Sequence, residues 1–180
     1  MESNKNFAEE LERVTKVYGV RVTNKKEKYW FWKILDRILR ILSLGKKKNF
    51  LTETTTTFCE TIYFPVNWSP KVADDLDIVT LHHELVHVSK IREFGESDAI
   101  YGMFWFTLLY LFLPLPVGLA WFRYKWEREA YLKSAHIAES LGYKIDPEVF
   151  VDLLSGPAYV WAWPFKKQIR KWFEKNAANR

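Results

Sequence analysis

Residues 79–95 read VTLHHELVHVSKIREFG, and three of the chain's four histidines, His82, His83 and His87, fall within six consecutive positions there. His83 and His87 are four residues apart, so on an α-helix their directions differ by roughly 40° and both rings reach one side. With Glu84 between them the stretch is H-E-x-x-H, in which two imidazoles hold Zn²⁺ and the glutamate meets the metal's water rather than the metal. Five residues of this kind recur by chance, so the surroundings carry the weight. Ile78, Leu81, Leu85, Val86 and Ile91 offer core-facing positions on the same helix. Pro70 followed by Asp74, Asp75 and Asp77 reads as a helix start with acidic residues at its positive end, and a helix running to about Phe94 would stop at Gly95. The competing reading is a packed helix whose histidines bind nothing.

A catalytic zinc requires a third protein ligand and one open position. No further histidine follows at close spacing, since Ile91 and Gly95 occupy that region. The next long helical pattern carries WEREAY at 126–131 and offers Glu127 and Glu129, which point to different faces. His82 is one residue out of phase and reads as a neighbour. His136, nine residues beyond Glu127, falls near the opposite side of its helix and reads as structural.

With Glu127, Ala130 and Tyr131 in this frame, the sequence resembles the gluzincin metallopeptidases, whose second helix carries E-x-x-A-D or E-x-x-S-D. More narrowly, HELVHVSKIREFG, an aromatic apolar segment and WEREAY resemble the small zincin-like metallopeptidases of bacteria and bacteriophages, over roughly Thr57 to Gly142. The resemblance implies Zn²⁺ held by His83, His87 and Glu127, with Glu84 as general base. It leaves Glu129 as an alternative third ligand. Tyr131 stands where the family has an aspartate that orients a ligating histidine, so either its hydroxyl takes over that task or another residue must, and Tyr131 could equally act as an oxyanion donor.

Upstream, Phe7, Leu11, Val14 and Val17 mark one face of a helix over Asn6 to Tyr18. From Lys28 to Lys48, KYWFWKILDRILRILSLGKKK puts Lys33, Asp36, Arg37, Arg40 and Ser43 on one helical face, with apolar residues around the rest and Gly45 as the stop. Such a helix is either packed on the domain or interfacial to a membrane. FLTETTTTFCETIYF at 50–64 favours two antiparallel strands turning near Thr55 and Thr56, with Cys59 a buried strand residue. Ala99 to Phe122 holds no charge, but Pro114 and Pro116 divide it into a helical hairpin rather than one span. That hairpin would be buried, lie in one leaflet or dip into a bilayer. Asp146 and Pro147 start a short helix, and WPFKKQIRKWFEK after SGP at 155–157 forms a basic amphipathic last one.

The predicted fold is α+β: a mostly helical minimal zincin-like domain with a small antiparallel sheet or hairpin before the H-E-x-x-H helix. Residues 1–48 would form N-terminal helices, 49–145 the zincin-like core, and 146–180 C-terminal basic helices of the same domain. A hydrophobic content of 48 % with nine tryptophans excludes disorder and leaves aromatic surface for something other than water. The net charge of +5 favours anionic partners, yet no nucleic-acid module is present, so nucleic acid is disfavoured. A single cysteine, Cys59, excludes an intramolecular disulfide and a thiolate zinc cluster.

The expected function is a zinc-dependent metallopeptidase acting on peptide or protein substrates, working at a membrane surface. The competing class is a zinc-stabilised structural or binding protein, such as a virion or assembly component, on the same scaffold. The polar, acidic N-terminus argues against a cleaved secretory signal and for a cytoplasmic or membrane-associated protein. Oligomeric state is not written in these patterns.

Overall fold

The H-E-x-x-H helix, α4 (Asp75–Gly95), is the element around which the others assemble. The computed structural model describes residues 2–42, 49–95, 98–112, 120–156, 159 and 162–177. Gly45, Pro114, Pro116 and Pro157, to which the sequence assigns breaks, lie outside them. The architecture is α+β and mostly helical, as predicted, with one small sheet.

α4 starts later than Pro70. Pro70–Val72 forms a single 3₁₀ turn, the chain extends at Ala73, and the Asp74 side chain then accepts from the backbone N–H of Leu76 and Asp77 at 2.9 and 3.1 Å. That side-chain cap fixes where α4 begins. Leu81, Ile91 and Val88 are buried, as are Ile78 and Leu85, because α4 is covered by helices on several sides and by the sheet.

α1 (Glu2–Tyr18) packs on α4 through Phe7 and Val14, which share a core with Ile62, Phe64, Trp68 and Leu81. Val17, predicted for the same face, is exposed. The sheet follows the order β1-β3-β2. β2 (Thr56–Phe58) and β3 (Thr61–Phe64) pair antiparallel with Thr57 opposite Ile62. The turn therefore falls at Cys59 and Glu60, not at Thr55 and Thr56. Phe50–Glu53 takes a helical turn, α3, which delays the first strand. Cys59 has a φ of +52° in that turn and is only partly buried, contrary to the expected strand position. β1 (Arg21–Asn24), a strand not anticipated, joins β3 in parallel.

α2 (Tyr29–Leu42) closes over the sheet with Trp32 against Phe50 and Tyr63. Asp36 is buried and accepts a hydrogen bond from Arg40 at 3.0 Å, so it does not belong to the solvent-facing row that its spacing suggested. α5 (Ala99–Phe112) is capped by the Asp98 carboxylate, which accepts from the N–H of Ile100 and Tyr101. Its start crosses the end of α4 at two glycines. A Cβ added to Gly102 would lie 2.2 Å from the Ile91 carbonyl oxygen, so only glycine permits this approach. No described helix is long and apolar enough to cross a membrane.

α6 (Trp121–Ser140) runs along α4, and the helix start expected at the prolines lies outside the described residues. α7 (Pro147–Ser155) begins as predicted, with Asp146 capping the Glu148 N–H. α8 (Lys166–Ala177) returns against α6 and α7 through Ile169 and Phe173, with Arg170 gripping Glu148 through two contacts.

Candidate metal centre

Packing α4 against α6 brings His83, His87 and Glu127 together. One potential ligand atom from each lies within 4.8 Å of the others, a group able to hold a metal ion. His83 Nε2 stands 3.3 Å from Glu127 Oε2, and His87 Nε2 stands 3.4 Å from Glu127 Oε1. All three side chains are largely buried. Glu129, the alternative, faces Lys90 at 3.4 Å instead and keeps more of its surface in solvent.

The electrostatics keep Glu127 ionised and hold charge on the neighbouring imidazole, which a bound cation would displace as a proton. Burial by itself would push the Glu127 carboxyl up, but the two imidazoles beside it outweigh this and hold it well below the usual carboxylate range. Burial opposes charging of His87, and the Glu127 carboxylate overcomes it and raises His87 above the ordinary imidazole value. Glu127 Oε2 is buried with no hydrogen-bond donor among the described residues, although His83 Nε2 faces it. An orphaned carboxylate oxygen facing one imidazole nitrogen, with the second imidazole at the carboxylate's other oxygen, is compatible with a divalent ion shared among the three side chains.

The ligands are held from behind. Ser134, two turns beyond Glu127 on α6, donates to the Ala130 carbonyl at 3.0 Å and so offers its lone pairs to His83 Nδ1 at 3.3 Å. A donated Nδ1–H leaves Nε2 as the bare ligand atom. Tyr110, reaching over from α5, donates its hydroxyl to Glu127 Oε1. Burial, followed by the charge of Glu127, raises the Tyr110 pKa, so the phenol stays a donor. Arg123, itself buried, bonds the Tyr110 carbonyl and the Tyr159 carbonyl at 3.1 Å each, fixing both tyrosine segments against α6.

Tyr131 lies against His83 with ring centroids 4.8 Å apart, while its hydroxyl pairs with that of Tyr159 at 2.7 Å. Burial pushes the Tyr131 phenol far above its ordinary value, so it remains protonated. The polar contact to a candidate ligand histidine that the resemblance implies for position 131, or for another residue in its place, is made here to His83 by Ser134. His87 packs its ring near Phe106 and Tyr110, and its Nδ1 has no partner among the described residues.

Glu84, one position from His83, is buried, and its Oε2 accepts from the Thr57 hydroxyl at 2.7 Å. Thr57 sits on β2, an edge strand of the sheet, so the strand nearest α4 supplies the group that aims the carboxylate. His82 belongs elsewhere: its Nε2 meets Glu10 at 2.6 Å and pins α1 to α4. His136 lines a cavity of about 70 Å³ with Leu132, Phe150 and Phe173, away from the ligand set. Sequence reasoning did not find Thr57, Tyr110, Ser134 or Tyr159. Of these only Ser134 left a signal, seven residues after Glu127 and hence on the same helical face.

No protein-family model matches the sequence, and neither a curated protein nor a solved structure matches the chain.

Proposed function

We propose that the chain is a zinc-dependent metallopeptidase. The observation that carries the reading is the pairing of the ligand trio with a separate buried carboxylate: Glu84 lies beside the ligands, is not one of them, and is steered by Thr57. A purely structural zinc site is usually closed by four protein ligands, whereas three candidate ligands are grouped among the described residues, a number compatible with a catalytic site. The resemblance of HELVH and WEREAY to small zincin-like metallopeptidases of bacteria and bacteriophages supports the same reading.

His83, His87 and Glu127 would hold Zn²⁺, which when bound supplies Lewis acidity toward a carbonyl and lowers the pKa of a coordinated water toward about 7. Glu84 accepts the proton of the attacking water and delivers it to the leaving amine. Thr57 keeps one carboxylate oxygen of Glu84 engaged, so the other is free for that transfer. β2, at the sheet edge, offers backbone groups to which an extended peptide can add. Tyr131, whose ring packs on His83 and whose hydroxyl pairs with that of Tyr159, would supply a protonated donor for the developing oxyanion.

The alternative reading keeps the zinc and discards turnover, making the chain a zinc-stabilised structural or binding protein such as a virion component. The free carboxylate of Glu84 favours the enzyme. Glu84→Gln, measured for zinc content and for cleavage of a denatured protein substrate, is expected to retain one zinc and lose cleavage by at least a hundredfold. Cleavage equal to that of the unaltered chain, or none by the unaltered zinc-loaded chain, would sink the enzymatic reading.

A further inference from the structure

α2 is amphipathic twice over. Its inner side, Phe31, Trp32, Leu35 and Leu39, packs on Phe50, Phe58 and Tyr63. Its outer side is divided lengthwise. Trp30, Ile34, Ile38 and Ile41 recur at helical spacing as one stripe, and Trp30 and Ile41 are 71 % and 75 % exposed. Lys33, Arg37 and Arg40 form an exposed second stripe along one flank. The one acid of the helix, Asp36, is buried and bonded to Arg40, so the outer side presents no negative charge. Lys26 and Lys28 lie exposed just before the helix, and Lys46, Lys47 and Lys48 follow it in sequence.

We infer that this outer face of α2 seats the protein on an anionic lipid bilayer, with the apolar stripe at the headgroup boundary and the cationic stripe on the lipid phosphates. Four large apolar side chains in a row, exposed beside a stripe of cations, with Glu27 before the helix paired to Arg21 and Asp36 paired to Arg40, match the pattern of a helix lying in a membrane interface. The long stems of lysine and arginine allow their charges to reach the phosphates while the stripe beside them is buried. A second copy of the chain fits less well. A two-fold pairing of this face would set its cations against the same cations of the partner.

Ile100, Tyr101 and Phe104 of α5 are exposed as well. The inference is independent of the metal-site reading.

The test is sedimentation of the full chain with vesicles of phosphatidylcholine alone, or with three-tenths phosphatidylserine, alongside its mass in vesicle-free solution. Binding to the anionic vesicles at least tenfold stronger than to neutral ones is expected. Lys33→Glu with Arg37→Glu should remove that preference, and Trp30→Ser with Ile41→Ser should lower binding at least tenfold. All four positions are exposed, so the fold should hold, with circular dichroism and thermal unfolding unchanged. Wild-type failure to bind, equal binding by folded variants, or a dimer that Trp30→Ser with Ile41→Ser converts to monomer would each overturn the inference.

Discussion

Tyr110→Phe removes one oxygen atom from a buried site and tests whether α5 belongs to the metal centre. The Tyr110 hydroxyl is the described side-chain donor to Glu127 Oε1, and Glu127 is almost wholly buried. A hydrogen bond to a charged acceptor contributes about 1.5–3 kcal/mol. At about 1.4 kcal/mol per tenfold change, its loss corresponds to zinc affinity weakened roughly tenfold to a hundredfold. That agrees with the range for removal of a group that supports a metal ligand. Ser134→Ala provides the scale. The His83–Ser134 contact, at 3.3 Å and without a charged acceptor, is longer and weaker, so its loss should reduce affinity by less, about twofold to tenfold. The assay is competition for zinc with a chromogenic chelator, with circular dichroism and thermal unfolding of the metal-free proteins as controls. Unchanged affinity in a folded Tyr110→Phe variant, or a greater loss from Ser134→Ala, would refute the assignment of Tyr110 as support for Glu127.

Thr57→Val keeps the shape of the side chain and deletes the donor to Glu84. On the proposed peptidase reading, zinc content should be unchanged while kcat falls about tenfold; a kcat equal to that of the unaltered chain would show that the carboxylate is aimed without it. The contact between α1 and α4 carries a pH dependence. Arg13, and then His82, hold the Glu10 carboxyl below its ordinary value, so its contribution is fully present above about pH 4.5 and is lost as pH falls through the lowered value. The stability difference between the unaltered chain and Glu10→Gln, followed by thermal unfolding, should therefore be largest near neutrality and shrink in acid. A constant difference from pH 7 to 3 would count against the Glu10 contacts as a stabilising feature.

The two ligand-bearing helices were readable in advance because helical spacing turns sequence separation into direction. HELVH and the glutamate of WEREAY each needed only a period of 3.6 to be placed on a face, and the structure brings those faces together. The supporting groups follow no such rule. Tyr110 lies in an apolar run where its ring reads as another core aromatic, and only the crossing of α4 and α5 at Gly95 and Gly102 directs its hydroxyl to Glu127. Thr57 is one of four consecutive threonines, and nothing local distinguishes the one that faces Glu84. β1 escaped because four residues, RVTN, are too short to show alternation, and it exists only because β3 offers a free edge. The misplaced turn has a similar cause: Cys59 in a left-handed conformation is a choice imposed by pairing, not one that cysteine advertises.

The order β1-β3-β2 also sets a timetable. β1 ends at Asn24, yet its partner strand runs from Thr61 to Phe64, so the chain must make everything between before its first strand has a neighbour. Closing so long a loop is entropically slow, and during synthesis α1 and α2 would emerge with their inner faces uncovered. The wait for the metal centre is longer still. Glu84 finds Thr57 behind it, but Glu127 and Ser134 follow on α6 and Tyr159 later still, so a metal ion would meet the full candidate ligand set only after α6 has been made.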